Sequence, residues 1–151
     1  MSRLADCLNE QHALIALLLG RAANPSAGER AFSPTHLRRA IYAHLAVLKV
    51  VASGLEGQFP PESLAHASST VTACLAQLLL TKDEDPDQYT ELSVPLRALF
   101  SVERAMIAAA MLSWAEKDLI HAAFAAEEQF EVLYGRGELA SERSASQMGA
   151  L

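Results

Sequence analysis

The amino-acid sequence predicts an all-α protein: an up-and-down antiparallel helical bundle of four principal helices, followed by a C-terminal extension or a fifth helix. Apolar residues recur at spacings of three and four along every long segment, and no segment shows the alternation typical of a strand. The chain of 151 residues is 51% hydrophobic but only 6% aromatic, so we expect a core of mainly Leu, Ala, Val and Ile. We assign residues 1–137 to one helical domain and residues 138–151, which are poor in large apolar side chains, to a flexible C-terminal tail.

The first two helices have clear boundaries in the sequence. The first is expected over about residues 2–23, because the segment NPSAG at 24–28 ends it. The second is expected over about residues 34–53, since Ser33 can cap a helix that has Pro34 at its first position and Gly54 and Gly57 at its end. The apolar face of the first helix carries Leu4, Leu8, His12, Ile15 and Leu19, and that of the second carries Leu37, Ile41, His44, Leu48, Val51 and Leu55.

The next two helices also begin at proline-containing segments. Pro60-Pro61 opens the third helix, and the acidic segment KDEDPDQ at 82–88 ends it as a solvated loop, within which Asp85-Pro86 can start one short turn. The fourth helix starts at the segment SVP, residues 93–95. The apolar side of the third helix carries Leu64, Val71, Cys74, Leu75 and Leu78, and that of the fourth carries Leu96, Phe100, Glu103, Ile107, Met111 and Trp114.

Beyond Trp114 the sequence allows two arrangements. No Gly or Pro occurs between Pro95 and Gly135, so one helix of about 40 residues could run on to Tyr134. Alternatively, Ser113 and Glu116 form a capping box that starts a fifth helix. We expect a bend or a break here, because the apolar face shifts to Leu119, Ala123, Phe130 and Leu133.

Composition and motifs argue against several classes of function. The net charge is −6 and no basic run exceeds Arg38-Arg39, which disfavours a nucleic-acid partner. The longest apolar runs are shorter than the roughly 20 residues that a bilayer requires, so we expect a cytoplasmic protein without membrane attachment. Cys7 and Cys74 lack zinc-type or redox spacing and read as small buried side chains in a reducing compartment. Catalytic and nucleotide-binding signatures are missing, which favours a protein that is not an enzyme and has no catalytic or cofactor-binding residues.

Three polar residues occupy positions on the apolar faces: His12, His44 and Glu103. A carboxylate in a core must be paired or take up a proton, so each of these side chains needs a partner. Glu103 could pair with Arg104, with Arg97 or with a histidine of another helix. Alternatively, the three could belong to a metal site in the bundle core, where imidazole and carboxylate groups suit iron, zinc or manganese.

In order and spacing, several segments resemble hemerythrin-like helical bundles. They are LNEQHALIALLL, then IYAHLAVLKVV 32 residues further on, then His66, and finally DPDQYTELSVPLRALFSVERAM, together covering about residues 4–112. The resemblance implies four helices that each contribute a histidine, with a carboxylate four residues later on the second and fourth. Such a site binds two irons and senses oxygen, nitric oxide or redox state.

This chain departs from the hemerythrin-like pattern at both bridging carboxylates. Leu48 stands four residues after His44, while Glu103 replaces the histidine of the fourth helix and Ile107 follows it. The resemblance therefore implies at most a mononuclear iron or zinc site, with His12, His44, His66 and Glu103 as its candidate ligands. Helical geometry turns His66 away from the apolar side of its own helix.

Two hypotheses of function follow. In the first, the protein is a non-catalytic bundle of regulatory or adaptor type that holds no cofactor and acts through a protein partner or a homodimer. Its interface would include Phe124, Phe130 and Leu133, because a helix that follows a completed four-helix core needs a cover for its apolar side chains. The alternative is a degenerate hemerythrin-like metal-binding sensor, and convergence of the four candidate ligands would favour it.

Overall fold

The computed structural model describes residues 2–24, 34–80 and 86–135. Over these ranges it is helical, without strands. The helices are α1 (Arg3–Ala23), α2 (Pro34–Ser53), α3 (Pro61–Leu80), the short α4 (Pro86–Thr90), α5 (Ser93–Ser113) and α6 (Glu116–Phe130), which a π-helical turn (Glu131–Gly135) continues. None of the described helices is both long and apolar enough to cross a bilayer.

The helix boundaries agree with the sequence signals to within about two residues. The Ser2 hydroxyl accepts a hydrogen bond from the Ala5 backbone N–H at 3.1 Å, which satisfies one of the free donors at the start of α1. α2 ends at Ser53, and Gly57 adopts a positive φ of 83° in the turn that follows. The predicted caps at Ser33 and Asp85 and the predicted C-terminal tail lie outside the described residues.

The core lies where the apolar faces of the helices meet. α1 packs against α2 and α6, α3 packs against α5 and α2, and α5 also contacts α1. Every residue predicted for the apolar face of α2 is buried, including His44, which is fully buried. His36 in the first turn is half-buried. Two predicted core residues are exposed instead: Met111 near the end of α5 and Leu133 in the π-helical turn.

The helix is interrupted between α5 and α6, which confirms the break expected from the shift of the apolar face. Ala115 is extended, with φ −66° and ψ 154°, and it precedes α6 without a side-chain cap. The predicted capping box at Ser113 is wrong, because Ser113 is the last residue of α5. The break coincides with a tertiary contact, since the Trp114 ring lies against Gly54 at the end of α2.

The contact between Gly54 and Trp114 can be tested with two glycine substitutions. A Cβ atom at Gly54 would lie 2.9 Å from Cζ2 of Trp114, so Gly54→Ala should lower the free energy of unfolding by about 1–3 kcal/mol through overpacking. Gly20→Ala is the matched control: it lies within α1 and has no atom within 4 Å of the added Cβ. It should raise the free energy of unfolding by about 0.5–1 kcal/mol. Urea denaturation measures the change in the free energy of unfolding for each substitution. Equal changes in the two variants would contradict the contact between Gly54 and Trp114.

Candidate metal centre

Three polar side chains from three helices converge in the core. The Nε2 atom of His12 on α1 lies 2.6 Å from Oε2 of Glu103 on α5, and Nε2 of His44 on α2 lies 3.0 Å from the same oxygen. One candidate ligand atom from each of the three residues lies within 4.8 Å of the other two. The structure thus gathers three of the four ligands that the sequence suggested.

The helical spacing explains why these side chains meet. Each one shares its face with buried residues three or four positions away, and these neighbours orient that face toward the core. The buried neighbours are Leu8 and Ile15 around His12, Ile41 and Leu48 around His44, and Leu99, Met106 and Ile107 around Glu103. The polar groups have no freedom to turn outward without exposing this apolar surface.

Glu103 is the most deeply enclosed charged residue of the cluster. It is 0% exposed, and both histidine contacts fall on its Oε2 atom. Its other oxygen, Oε1, is buried without a hydrogen-bond partner among the described residues. A carboxylate oxygen only accepts hydrogen bonds, so a buried one without a donor or a cation carries a desolvation cost of about 1–3 kcal/mol.

The surroundings of Glu103 favour its ionised form. Burial alone raises the pKa of this carboxyl group, because the charged form loses its hydration. The hydrogen bonds from His12 and His44, together with the positive charge that those rings can carry, lower the pKa by more than burial raises it. The net direction is a pKa below the ordinary value, so the carboxylate is ionised at neutral pH.

Gln11 belongs to the same cluster, although it was not among the residues predicted for the site. Its Oε1 atom lies 2.7 Å from Nδ1 of His44, and its Nε2 donates to Sγ of Cys7 at 3.6 Å. Gln11 is only 5% exposed. It lies three residues after Leu8 and four before Ile15, so the test that singled out His12 would also have found it. Burial, followed by the charges of Glu127 and Glu10, raises the pKa of the Cys7 thiol to about 11, which keeps this neighbour neutral.

The aromatic ring of Phe100 packs on His12. The Phe100 ring stacks on His12 with 3.9 Å between the ring centroids and an interplanar angle of 25°. It also meets His44 nearly edge-on, at 6.2 Å and 79°. Because His12 retains 17% of its side-chain surface, this stacking covers one face of a ring that solvent still reaches in part.

The remaining predicted site residues lie elsewhere. His66 is exposed on α3 and is not part of the cluster, in keeping with its position away from the apolar side of that helix. Phe130 is buried by its own chain and stacks on Tyr134 at 5.6 Å, because α6 packs against α1 and α2. It therefore offers no free surface to a partner. Phe124 and Leu133 remain 50% and 44% exposed, and the Arg3 guanidinium lies 4.0 Å from the Phe124 ring centroid.

Comparisons with protein-family profiles, with curated proteins and with solved structures found no significant match to this chain. The interpretation of the cluster therefore depends on its own geometry and chemistry.

The lowered pKa of Glu103 predicts how the cluster contributes to stability as pH changes. A carboxyl group whose pKa is lower in the folded state stabilises that state above its unfolded pKa, and the contribution is lost as pH falls through the folded value. In the presence of a chelator, Glu103→Gln should therefore lower the free energy of unfolding at pH 7 by about 1–3 kcal/mol. The difference from the wild-type protein should shrink as pH falls below about 4.5, the ordinary pKa of a glutamate.

Urea denaturation of both proteins across this pH range checks the prediction. The difference between them isolates Glu103 from the other acidic residues, which both proteins share. A difference that stays constant down to pH 3 would contradict the assignment of an ionised Glu103.

Proposed function

We propose that this protein is a metal-binding helical bundle that holds one divalent transition-metal ion with His12, His44 and Glu103. The observation that carries the proposal is the meeting of two imidazole nitrogens and one carboxylate oxygen, from three separate helices, within 4.8 Å of one another. Apart from Gln11, the other buried residues of the core are hydrophobic. The role closest to this chemistry is that of a sensor, as the resemblance in spacing to hemerythrin-like bundles suggests.

The donor set fits a transition-metal ion. Two imidazoles and one carboxylate form a ligand combination that binds iron(II) or zinc and leaves coordination positions open. When bound, iron would supply a centre that can change oxidation state or take up a small ligand, whereas zinc would supply a Lewis acid without redox activity. His12 and His44 would bind through Nε2, the nitrogen that each already directs at Glu103.

The electrostatics of the cluster also fit a cation. An ionised carboxylate in the core needs positive charge nearby, and its Oε1 atom has no donor among the described residues. An oxygen that only accepts, facing two ring nitrogens, needs a proton or a cation between itself and each nitrogen. A divalent ion held by these three residues would supply the positive charge that the buried carboxylate needs.

Metal titration tests the proposal directly. Protein stripped with a chelator should bind one Zn²⁺ or, without oxygen, one Fe²⁺ per chain. At a free ion concentration of 100 times the dissociation constant, binding should stabilise the fold by about 2.7 kcal/mol. For a chain of this size the gain raises the melting temperature by about 5–10 °C.

Variants assign the ligands. His44→Ala and the isosteric Glu103→Gln should each weaken binding by at least about 100-fold, more than is usual for the loss of an outer-shell partner. His66→Ala is the matched control, because His66 is an exposed histidine outside the cluster, and it should leave affinity unchanged. A wild-type protein that binds no metal, or a Glu103→Gln variant that binds as tightly as wild type, would contradict the proposal.

Association of two copies of this chain is a second, independent proposal. Ile120 and Phe124 are exposed by 38% and 50% and lie one turn apart on α6, so they form a small apolar strip on the outer face of this helix. Two-fold homodimers are the commonest soluble oligomers, and a two-fold contact would cover this strip on both copies.

Light scattering coupled to size exclusion tests this second proposal. We expect two chains per particle, shifted toward one chain in Ile120→Asp, with the exposed Leu17→Asp on α1 as the matched control. A monomeric wild-type protein would contradict it.

A further inference from the structure

We infer that Gln11 is a positioning residue of the metal centre: it fixes the tautomer of His44 so that Nε2, and not Nδ1, is the nitrogen available to the ion. This inference rests on the proposed function. The juxtaposition that carries it is the 2.7 Å contact between Oε1 of Gln11 and Nδ1 of His44, on the side of the ring opposite Glu103.

The two nitrogens of an imidazole differ in what they can do. In the neutral ring one nitrogen carries the proton and donates, while the other has a free lone pair and can bind a metal. The hydrogen-bond partner of one nitrogen therefore decides which nitrogen faces the ion. Both nitrogens of His44 are engaged, and the ring is fully buried, so water does not compete for either.

The partner at Nδ1 is an amide oxygen, which only accepts hydrogen bonds. Nδ1 of His44 must therefore carry a proton and donate it to Oε1 of Gln11. This leaves Nε2, which lies 3.0 Å from Oε2 of Glu103, as the nitrogen that faces the cluster. The arrangement matches the outer-shell pattern in which a metal-binding histidine donates its second N–H to an oxygen.

The other end of the Gln11 amide faces Cys7. Its Nε2 group donates to Sγ of Cys7 one turn earlier on α1, at 3.6 Å. Reversing the amide would place an N–H donor against Nδ1 of His44 and would require the opposite tautomer. Since Gln11 is 5% exposed, it has little access to water as an alternative partner. The contacts run from Cys7 through Gln11 and His44 to Glu103.

His12 provides an internal contrast. Among the described residues, the structure gives this ring a stacking contact with Phe100 and a hydrogen bond to Glu103, but no second hydrogen bond like that of His44. The orientation of His12 depends on packing, whereas that of His44 depends on a specific acceptor. The effect of Gln11 should therefore reach the metal through His44.

Substitution of Gln11 tests the inference by metal titration. Gln11→Met keeps the length of the side chain but removes the acceptor, and it should weaken Zn²⁺ binding by about 10–100-fold. Gln11→Glu keeps an oxygen that accepts from Nδ1, and it should bind Zn²⁺ at least as tightly as wild type. Gln77→Met is the matched control, because Gln77 is an exposed glutamine on α3, and it should leave affinity unchanged.

The tautomer is measured separately by the ¹⁵N chemical shifts of the histidine rings. In the metal-free wild-type protein the His44 Nδ1 atom should carry a proton, and this preference should be lost in Gln11→Met and kept in Gln11→Glu. If Gln11 had only a structural role, the ¹⁵N shift of His44 Nδ1 would not change in Gln11→Met while staying unchanged in Gln11→Glu. Unfolding curves in the presence of a chelator show whether each variant is folded.

The outcomes separate the inference from the proposed function. If wild type binds Zn²⁺ and Gln11→Met binds it equally well, or if Nδ1 of His44 carries no proton in the metal-free protein, the inference is wrong while the metal centre stands. If wild type binds no metal ion, the proposed function fails, and with it the role of Gln11 at the metal.

Discussion

The structure depends on how a single buried carboxylate is neutralised. Glu103 is fully enclosed, and histidines from two other helices contact the same oxygen of its carboxylate. Because these contacts link α1, α2 and α5, the cluster fixes the relative positions of three helices whose other contacts are mostly between interchangeable aliphatic side chains. Apolar contacts tolerate small shifts of one helix along another, but a hydrogen bond to a buried charge does not.

Stability alone does not account for such a cluster. Replacing a buried ion pair by apolar side chains of similar volume is often neutral or stabilising, since it removes the cost of taking charges out of water. His12, His44 and Glu103 are the ligands of the metal centre proposed above, and buried ionisable groups with shifted pKa values, such as Glu103, concentrate at functional sites.

The sequence predicted the helices well because their signals are local. Spacings of three and four selected only buried residues on α2, although they missed Ala40, Ala43 and Val47. Proline and glycine marked most of the boundaries that lie within the described residues. The capping box at Ser113 failed for a reason that is not local: the chain turns where Trp114 meets Gly54, and these residues are far apart in the sequence. The burial of Phe130 was missed for the same reason, since it depends on where α6 crosses α1 and α2.

The candidate site was predictable in part. His12, His44 and Glu103 stood out because each breaks an apolar pattern, but that pattern does not show that three side chains from different helices share one point. Gln11 also interrupts the apolar pattern, but it was not predicted as a site residue because a neutral amide does not by itself indicate a metal-binding or acid-base role. Its significance appears only when His44 is placed beside it.

The contact between Gly54, after α2, and Trp114, after α5, can be followed by fluorescence. Trp114 is the only tryptophan of the chain, and it is half-buried against Gly54. It also lies eleven residues beyond Glu103, directly after the last residue of the helix that carries this carboxylate. Fluorescence from this one indole therefore arises at the end of the helix that carries the buried carboxylate. If α5 moved relative to α2, the polarity around the indole would change. The emission of Trp114 therefore gives an optical signal of the packing of the core without any added label.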